Sequence, residues 1–127
     1  MDADNHGFKY GNETRELFGC AMDLLNGLGY GLLEKPCENA LAVEFKLRGI
    51  SCLQQARYDV LSKEVVVGEY IPDLIAFEKV VVDTLGVDRI TDHEIEQRLN
   101  YLKITGLKVG LIINFRRAAL KWKRMAL

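Results

Sequence analysis

The sequence has no long apolar run and no excess of positive charge. Its longest uncharged apolar stretches, such as Val109 to Phe115, are far shorter than the roughly 20 residues that a membrane-spanning helix needs. The formal net charge of −1 excludes a nucleic-acid binder whose whole surface is basic. Any contact with nucleic acid must therefore depend on a local cluster of positive side chains.

Cysteine is scarce and widely spaced, with Cys20, Cys37 and Cys52 as the whole set. This spacing argues against a zinc site and against a disulfide framework, so we expect reduced and buried thiols. The N-terminus is polar and acidic and lacks the pattern of a secretory signal, which leads us to expect a cytoplasmic protein.

Phosphate-binding loop signatures are also missing. The glycines of the segment GLGYG do not follow a predicted strand, so we expect no nucleotide cofactor. A homodimer is an ordinary expectation for a soluble protein, and nothing in the sequence argues for or against it.

The composition itself is that of a globular protein, with 49% hydrophobic and 28% charged residues in a chain of 127. A chain of this length can bury a core without disulfides or metals. We expect a flexible N-terminal segment over residues 1–11 and one domain over residues 12–127.

Periodicity predicts the elements of that domain. Apolar residues three and four apart predict a helix after Asn12, and a second helix is predicted to run to about Arg48. Alternation predicts one strand from Ile50 to Val60 and a second from Val65 to Phe77, bent at Gly68. Two continuous apolar strands are then predicted, at 80–82 and at 107–115, with a helix between them that begins at Thr91 and ends at Gly106. This order predicts an α/β fold with a mixed central sheet flanked by helices.

Two aspartates interrupt apolar strands. Asp73 follows Pro72, and Asp83 follows three consecutive valines. Paired strands would bring the two carboxylates together, and such a pair favours a divalent cation such as Mg²⁺ or Mn²⁺. The alternative is that each aspartate caps a strand end or meets an arginine.

Several motifs together resemble the PD-(D/E)XK nuclease superfamily. The segment GLLEKPC resembles the GxxExxY motif of a group of mostly uncharacterised prokaryotic proteins, with Glu34 at the acidic position and Cys37 at the tyrosine position. The stretch VGEYIPDLIAFEKVVVDTL resembles the core hairpin of the superfamily. The helix segment QRLNY is similar to the QxxxY pattern that some nucleases use near DNA. The resemblance implies a restriction-endonuclease-like core of order α-β-β-β-α-β.

The same resemblance implies a site. It places metal ligands at Glu34, Asp73, Asp83 and Thr84, with the three acids as catalytic residues, and it implies Mg²⁺ or Mn²⁺ as the cofactor. It places Gln97 and Tyr101 near DNA.

The tripeptide that ends in the catalytic lysine of this superfamily is Asp83-Thr84-Leu85 here. Losing such a positioned group costs on the order of 10²- to 10⁴-fold in rate, so we expect an impaired nuclease. Three cations, Arg89, Arg98 and Lys103, are candidates to replace the lysine. The alternative is a non-catalytic module that keeps the fold and binds nucleic acid or a protein.

The C-terminal segment supplies the local positive charge that the net charge does not. Arg116, Arg117, Lys121 and Lys123 surround Trp122, an arrangement that can follow a phosphate backbone and stack on a base. The same pattern also suits a solvated edge strand.

Overall fold

The computed structural model describes residues 9–31 and 34–127. The helices and strands are, in chain order, α1 (Gly11–Leu28), α2 (Glu34–Leu47), β1 (Cys52–Gln54), β2 (Tyr58–Ser62), β3 (Val65–Tyr70), β4 (Leu74–Ala76), β5 (Val80–Leu85), α3 (Asp92–Thr105), β6 (Val109–Asn114) and β7 (Lys121–Ala126). The expected flexible segment lies outside the described residues as far as residue 8, and Gly11 already belongs to α1. No helix in these described ranges has the length and apolarity needed to cross a bilayer.

The main sheet has five strands in the order β1-β4-β5-β6-β7. Only β5 and β6 are parallel, and α3 connects them, while the other neighbours are antiparallel. The strands β2 and β3 form a separate two-stranded hairpin. The expected α/β class with a mixed sheet and flanking helices is confirmed.

The two continuous apolar strands lie in the interior of this sheet, as expected. Every residue of β5 and β6 is buried, because helices cover both faces. Val80 and Val82 pack against α1 and α2 on one face, while Val81 and Leu85 pack against α3 on the other. The face of β5 that turns toward α3 therefore carries its odd-numbered residues, among them Asp83.

The helices follow their apolar spacing and caps. α1 buries Leu17, Cys20 and Leu24 against the sheet. The Thr91 side chain accepts a hydrogen bond from the Glu94 backbone N–H at 3.3 Å, and α3 ends at Gly106 in a left-handed conformation.

Two of the strand predictions were wrong in their extent. The expected strand from Ile50 to Val60 is divided between β1 and β2, since the backbone at Gln55 turns with a φ of 61°. The expected strand from Val65 to Phe77 is divided between β3 and β4. The break falls at Ile71 and Pro72, because proline has no N–H to donate to a ladder. The bend expected at Gly68 coincides with a register shift, where Val60 pairs with Gly68 and Leu61 with Val66.

The cysteine prediction is confirmed in part. All three thiols are free, and Cys20 and Cys37 are buried. Cys52 is only half-buried, because β1 is an edge strand of the sheet.

Candidate functional site

The hairpin of β4 and β5 brings the two aspartates together. Its turn places Phe77 and Glu78 at φ values of 58° and 62°, and the Lys79 backbone N–H donates to the Ala76 carbonyl at 3.0 Å, so three residues separate the paired Ala76 and Val80. Leu74 pairs with Val82 in this register, so Asp73 and Asp83 lie opposite each other just beyond the last paired residues. The turn geometry therefore sets the approach of the two acids.

Hydrogen bonds in both directions close the open end of this hairpin. The Asp73 backbone N–H donates to Asp83 Oδ1 at 3.0 Å. In return, the Thr84 backbone N–H and hydroxyl donate to Asp73 Oδ2 at 2.8 and 3.1 Å. Each aspartate thus accepts a backbone hydrogen bond from the strand of the other.

Asp83 is buried beside two further partners. The Tyr70 hydroxyl donates to Asp83 Oδ2 at 3.1 Å, and Arg98 Nε lies 3.4 Å from the same oxygen as an ion pair without hydrogen-bond geometry. Burial raises the pKa of Asp83, and the Asp73 N–H, the Arg98 charge and the Tyr70 hydroxyl oppose that rise without cancelling it. Burial and the Asp83 charge also raise the pKa of Tyr70, which keeps the phenol protonated as a donor.

Asp83 and four other side chains form a closed ring of contacts. The Tyr70 ring stacks on the Tyr101 ring with centroids 3.9 Å apart. Gln97 donates to the Tyr101 hydroxyl at 3.2 Å and accepts from Arg98 Nη1 at 3.0 Å. Arg98 then returns to Asp83. The Gln97 and Tyr101 expected near DNA are therefore internal parts of this ring.

Asp73 has a different environment from Asp83. Its partner Thr84 lies on the face of β5 that carries Val80 and Val82, opposite the face of Arg98. Burial raises the pKa of Asp73 to about 6, although hydrogen bonds from Thr84 lower it and the Asp83 charge adds to the rise. The two carboxylates thus have different partners, with Thr84 bonded to Asp73 and with Tyr70 and Arg98 beside Asp83.

Glu34 forms hydrogen bonds to β5 and to the residue that follows it, through both its side chain and its backbone. Its carboxylate accepts from the Gly86 backbone N–H at 3.1 Å, and its backbone carbonyl accepts from the Thr84 hydroxyl at 3.4 Å. Both bonds attach the start of α2 to the end of β5. Glu34 therefore lies near the aspartates and fastens α2 to the site.

The expected metal-ligand set is not assembled within residues 9–31 and 34–127. No three acidic, histidine or cysteine side chains converge there as a metal ion requires. Asp83 faces the Arg98 guanidinium, which would repel a divalent cation, and Glu34 points its carboxylate at Gly86. The donor set therefore does not fit a resident Mg²⁺ or Mn²⁺. Catalysis by these acids stays a prediction.

Leu85 shares a face with Asp83 and is 8% exposed. It belongs to a cluster with Val81, Leu102, Ile112 and Met125. The position that the resemblance assigns to a lysine is thus part of the apolar core.

Of the three cations expected to replace that lysine, Arg98 is the one beside an aspartate. Arg89 instead lines a cavity near the start of α3. Lys103 is an exposed residue in the last turn of that helix. Of the three, Arg98 is therefore the residue that can supply positive charge at Asp83.

The basic residues of the C-terminal segment divide into two groups. Arg116 and Arg117 lie in the connection before β7 and pair with Asp88 at 3.6 and 3.7 Å. Lys121 and Lys123 lie on β7, which is an edge strand as one of the two alternatives predicted.

Cross-strand pairing relates these lysines to the aspartate site. Lys123 pairs with Ile112, which pairs with Asp83, so the three lie in one row on one face. Two strand spacings, about 10 Å, separate the ends of that row.

Sequence reasoning missed the contacts of two polar residues of this region. Tyr70 gave no signal beyond its position at the end of a strand. Glu38 is buried on α2 and accepts from Gln54 at 2.6 Å and from Gln55 at 2.8 Å, joining α2 to the end of β1. A signal existed in the two adjacent glutamines, which are unusual at the end of a strand.

A family model described as the PD-(D/E)XK nuclease superfamily matches residues 11–125. No curated protein and no solved structure matches this chain.

Proposed function

The chain belongs to the PD-(D/E)XK nuclease superfamily, and from that premise we propose that it is a degenerate nuclease-like domain that binds DNA with weak or absent phosphodiesterase activity. We further assign it to the GxxExxY type, on the position of Glu34 at the start of α2 and beside β5.

The observation that carries this proposal is the enclosure of Asp83. A carboxylate that acts on a phosphodiester must be open to water and to a cation. Asp83 is 5% exposed, and Tyr70 and Arg98 occupy its outer oxygen. Leu85 provides no charge to stabilise a transition state beside it.

Nucleases of this superfamily generally use a divalent metal. The proposal assigns none to this chain, because the acids in the described part of the chain do not form a ligand group. The Arg98 guanidinium supplies the positive charge beside Asp83 instead.

Support for DNA binding comes from the basic end of the sheet. Lys121 and Lys123 extend from β7 on the same face as Asp83, and Arg117 lies in the preceding connection. Such a local cluster can bind phosphates although the whole chain carries a net charge of −1.

The test of binding is fluorescence anisotropy with labelled DNA, comparing the wild type with the double variant Lys121→Gln, Lys123→Gln. We expect at least a tenfold loss of affinity in the variant, because two phosphate contacts are removed. Lys63→Gln is the matched control, since Lys63 is an exposed lysine at the tip of the β2–β3 hairpin. An equal loss in the control would contradict the assigned surface.

The test of catalysis compares the wild type with Asp73→Ala on single-stranded and duplex DNA with Mn²⁺ or Mg²⁺. We expect both proteins to give the background rate of cleavage. Metal-dependent cleavage by the wild type that Asp73→Ala abolishes would contradict the proposal and establish an active nuclease.

A second candidate, a protein-binding module, is favoured by the hairpin of β2 and β3. Leu61, Val65, Val66 and Val67 are each more than half exposed, so apolar side chains project from both faces of this hairpin. The same anisotropy measurement separates the two candidates, because a module that binds only protein leaves DNA unbound.

A further inference from the structure

A cavity of about 450 Å³ lies beneath the first turns of α3. Its walls are the connection from β5 to α3, the helix itself and β7, with the buried Asn114 among them. Asn114 exchanges hydrogen bonds with the Val87 backbone at 2.7 and 3.1 Å, and this holds the connection in place. The cavity is at the carboxyl ends of the parallel strands β5 and β6, where ligands of α/β sheets commonly bind.

The charged side chains of this cavity are mostly positive. Four cations, Arg89, Arg117, Lys121 and Lys123, stand against two acids, Asp88 and Asp92. Asp88 lies 3.7 Å from Arg117 and so offsets that charge. Within the described ranges, Arg89, Lys121 and Lys123 have no carboxylate at ion-pair distance. Three cations therefore remain for an anionic group.

Apolar groups complete the wall. Ile90 and Ile95 line the cavity, and both pack on the core cluster of Leu85 and Leu102. Trp122 also lines the cavity, while its ring packs on Phe18 of α1 with centroids 4.9 Å apart. A planar apolar group and an adjacent anion can therefore be bound together.

These features match one nucleotide, which combines a flat base with a phosphate. The volume lies in the range of small-ligand pockets, about 300–1,000 Å³. A base in a duplex is stacked and paired, and it must leave the helix before it can enter a pocket. A single strand offers its bases without that cost.

We propose that this cavity takes one unstacked nucleotide, so that the protein prefers single-stranded DNA to duplex DNA. The inference rests on the proposed DNA binding and names the strandedness of the ligand.

The first measurement compares a labelled single strand with its own duplex by fluorescence anisotropy at one salt concentration. We expect the duplex to bind at least tenfold more weakly, because a base must be extracted from it. Equal or tighter binding of the duplex overturns this inference and leaves the proposed function standing. No binding of either DNA overturns both.

Two variants test whether the cavity carries the preference. Ile95→Phe fills the cavity with a larger apolar side chain and leaves every charge in place, so we expect it to remove the preference while duplex binding stays unchanged. Lys123→Gln keeps the cavity open and removes one cation. We expect this variant to lower the affinity for the single strand severalfold. A preference that survives in folded Ile95→Phe overturns the assignment, and so does unchanged binding of the single strand by Lys123→Gln. Lys63→Gln is the charge control.

The third measurement uses Trp122, the only tryptophan of the chain. We expect a deoxynucleoside monophosphate to change its fluorescence saturably and inorganic phosphate at equal concentration to leave it unchanged. The same response to both ligands would identify a plain anion site and overturn the nucleotide assignment. If Ile95→Phe fails to fold, this measurement and Lys123→Gln still decide the question.

Discussion

Arg98 is the residue on which the ionic balance of the aspartate site depends. Its side chain and that of Asp83 are 17% and 7% exposed, so the pair is largely removed from water. Breaking a buried pair by removing one partner leaves an uncompensated charge and typically costs about 3–5 kcal/mol. Replacing both partners can cost far less.

We therefore predict that Arg98→Met lowers the free energy of unfolding by about 3 kcal/mol. Adding Asp83→Asn to that variant should recover part of the loss, because the unpaired carboxylate is then gone. Urea denaturation of the four proteins of the cycle measures the coupling. Arg57→Met is the matched control, since Arg57 is 74% exposed in its pair with Glu69 and should cost less than about 1 kcal/mol. Strictly additive losses would contradict a coupled pair.

A second prediction at the scale of single residues concerns Leu85. Leu85→Lys should lower the free energy of unfolding by about 3 kcal/mol, because its ammonium would enter the cluster of Ile112 and Met125. Leu85→Met conserves volume and should cost less than about 1.5 kcal/mol. Thermal unfolding of both variants measures the difference. Equal stability of the two would mean that position 85 opens to solvent.

Glu38 gives a prediction on pH. Burial pushes the pKa of Glu38 upward, but hydrogen bonds from Gln54, Gln55 and Lys35 outweigh burial and bring it below the ordinary value of 4.5. A carboxyl whose folded pKa is lowered stabilises the protein above its unfolded pKa and loses that contribution as the pH falls through the folded pKa. The wild type should thus lose stability between pH 5 and pH 3 relative to Glu38→Gln. Guanidinium denaturation of both proteins at pH 5 and at pH 3 measures this loss. The same difference in the free energy of unfolding at the two pH values would contradict the prediction.

At the scale of elements, β6 and α3 are in close contact at Gly110. A Cβ atom there would lie 3.0 Å from Met125 Cε and 3.5 Å from Leu102 Cδ2. The absence of a side chain lets the helix and β7 meet over the strand.

Gly110→Val should therefore lower the free energy of unfolding by about 1–3 kcal/mol through overpacking. Gly27→Ala is the matched control, because Gly27 lies in α1 with open space around it and should gain about 0.5–1 kcal/mol. Differential scanning calorimetry measures the loss of stability in Gly110→Val and the gain in Gly27→Ala. A gain of stability in Gly110→Val would show that Met125 and Leu102 can move to accommodate the new side chain.

The elements also show how far the sequence predicts this molecule. The buried strands β5 and β6 and the capped helix α3 were predictable, because continuous apolar runs and a capping box are local signals. The division of the strand after Ile50 was not predictable from alternation. It depends on the pairing of β1 with β4, which is a contact between distant segments.

The same distinction applies to the site. The approach of Asp73 to Asp83 followed from a short hairpin and was predictable. The ring of Asp83, Tyr70, Tyr101, Gln97 and Arg98 was not, because it joins the end of β3 to α3, a contact between segments that are distant in sequence. The bond from the Thr84 hydroxyl to Asp73 was not predictable either, because it depends on the register of β4 and β5.

At the scale of the whole molecule, a nearly neutral chain has a cluster of positive side chains at one end of the sheet. Three cations without a carboxylate partner in the described ranges line the cavity beneath α3, and single-stranded DNA releases about 0.7 counterions for each phosphate that a cation neutralises. We predict that the logarithm of the affinity falls against the logarithm of the salt concentration with a slope of about −2. Anisotropy titrations between 50 and 200 mM KCl measure it, and a flat dependence would argue against phosphate contacts.

The β2–β3 hairpin lies outside the main sheet, and its last residue, Tyr70, is bonded to Asp83 and stacked on α3. This hairpin, with its exposed apolar side chains, is thus anchored to a buried carboxylate. An event that takes the Asp83 oxygen away from Tyr70 also loosens the base of the hairpin. A change at Asp83 is in this way transmitted to an exposed surface, where another molecule can respond to it without contacting the carboxylate.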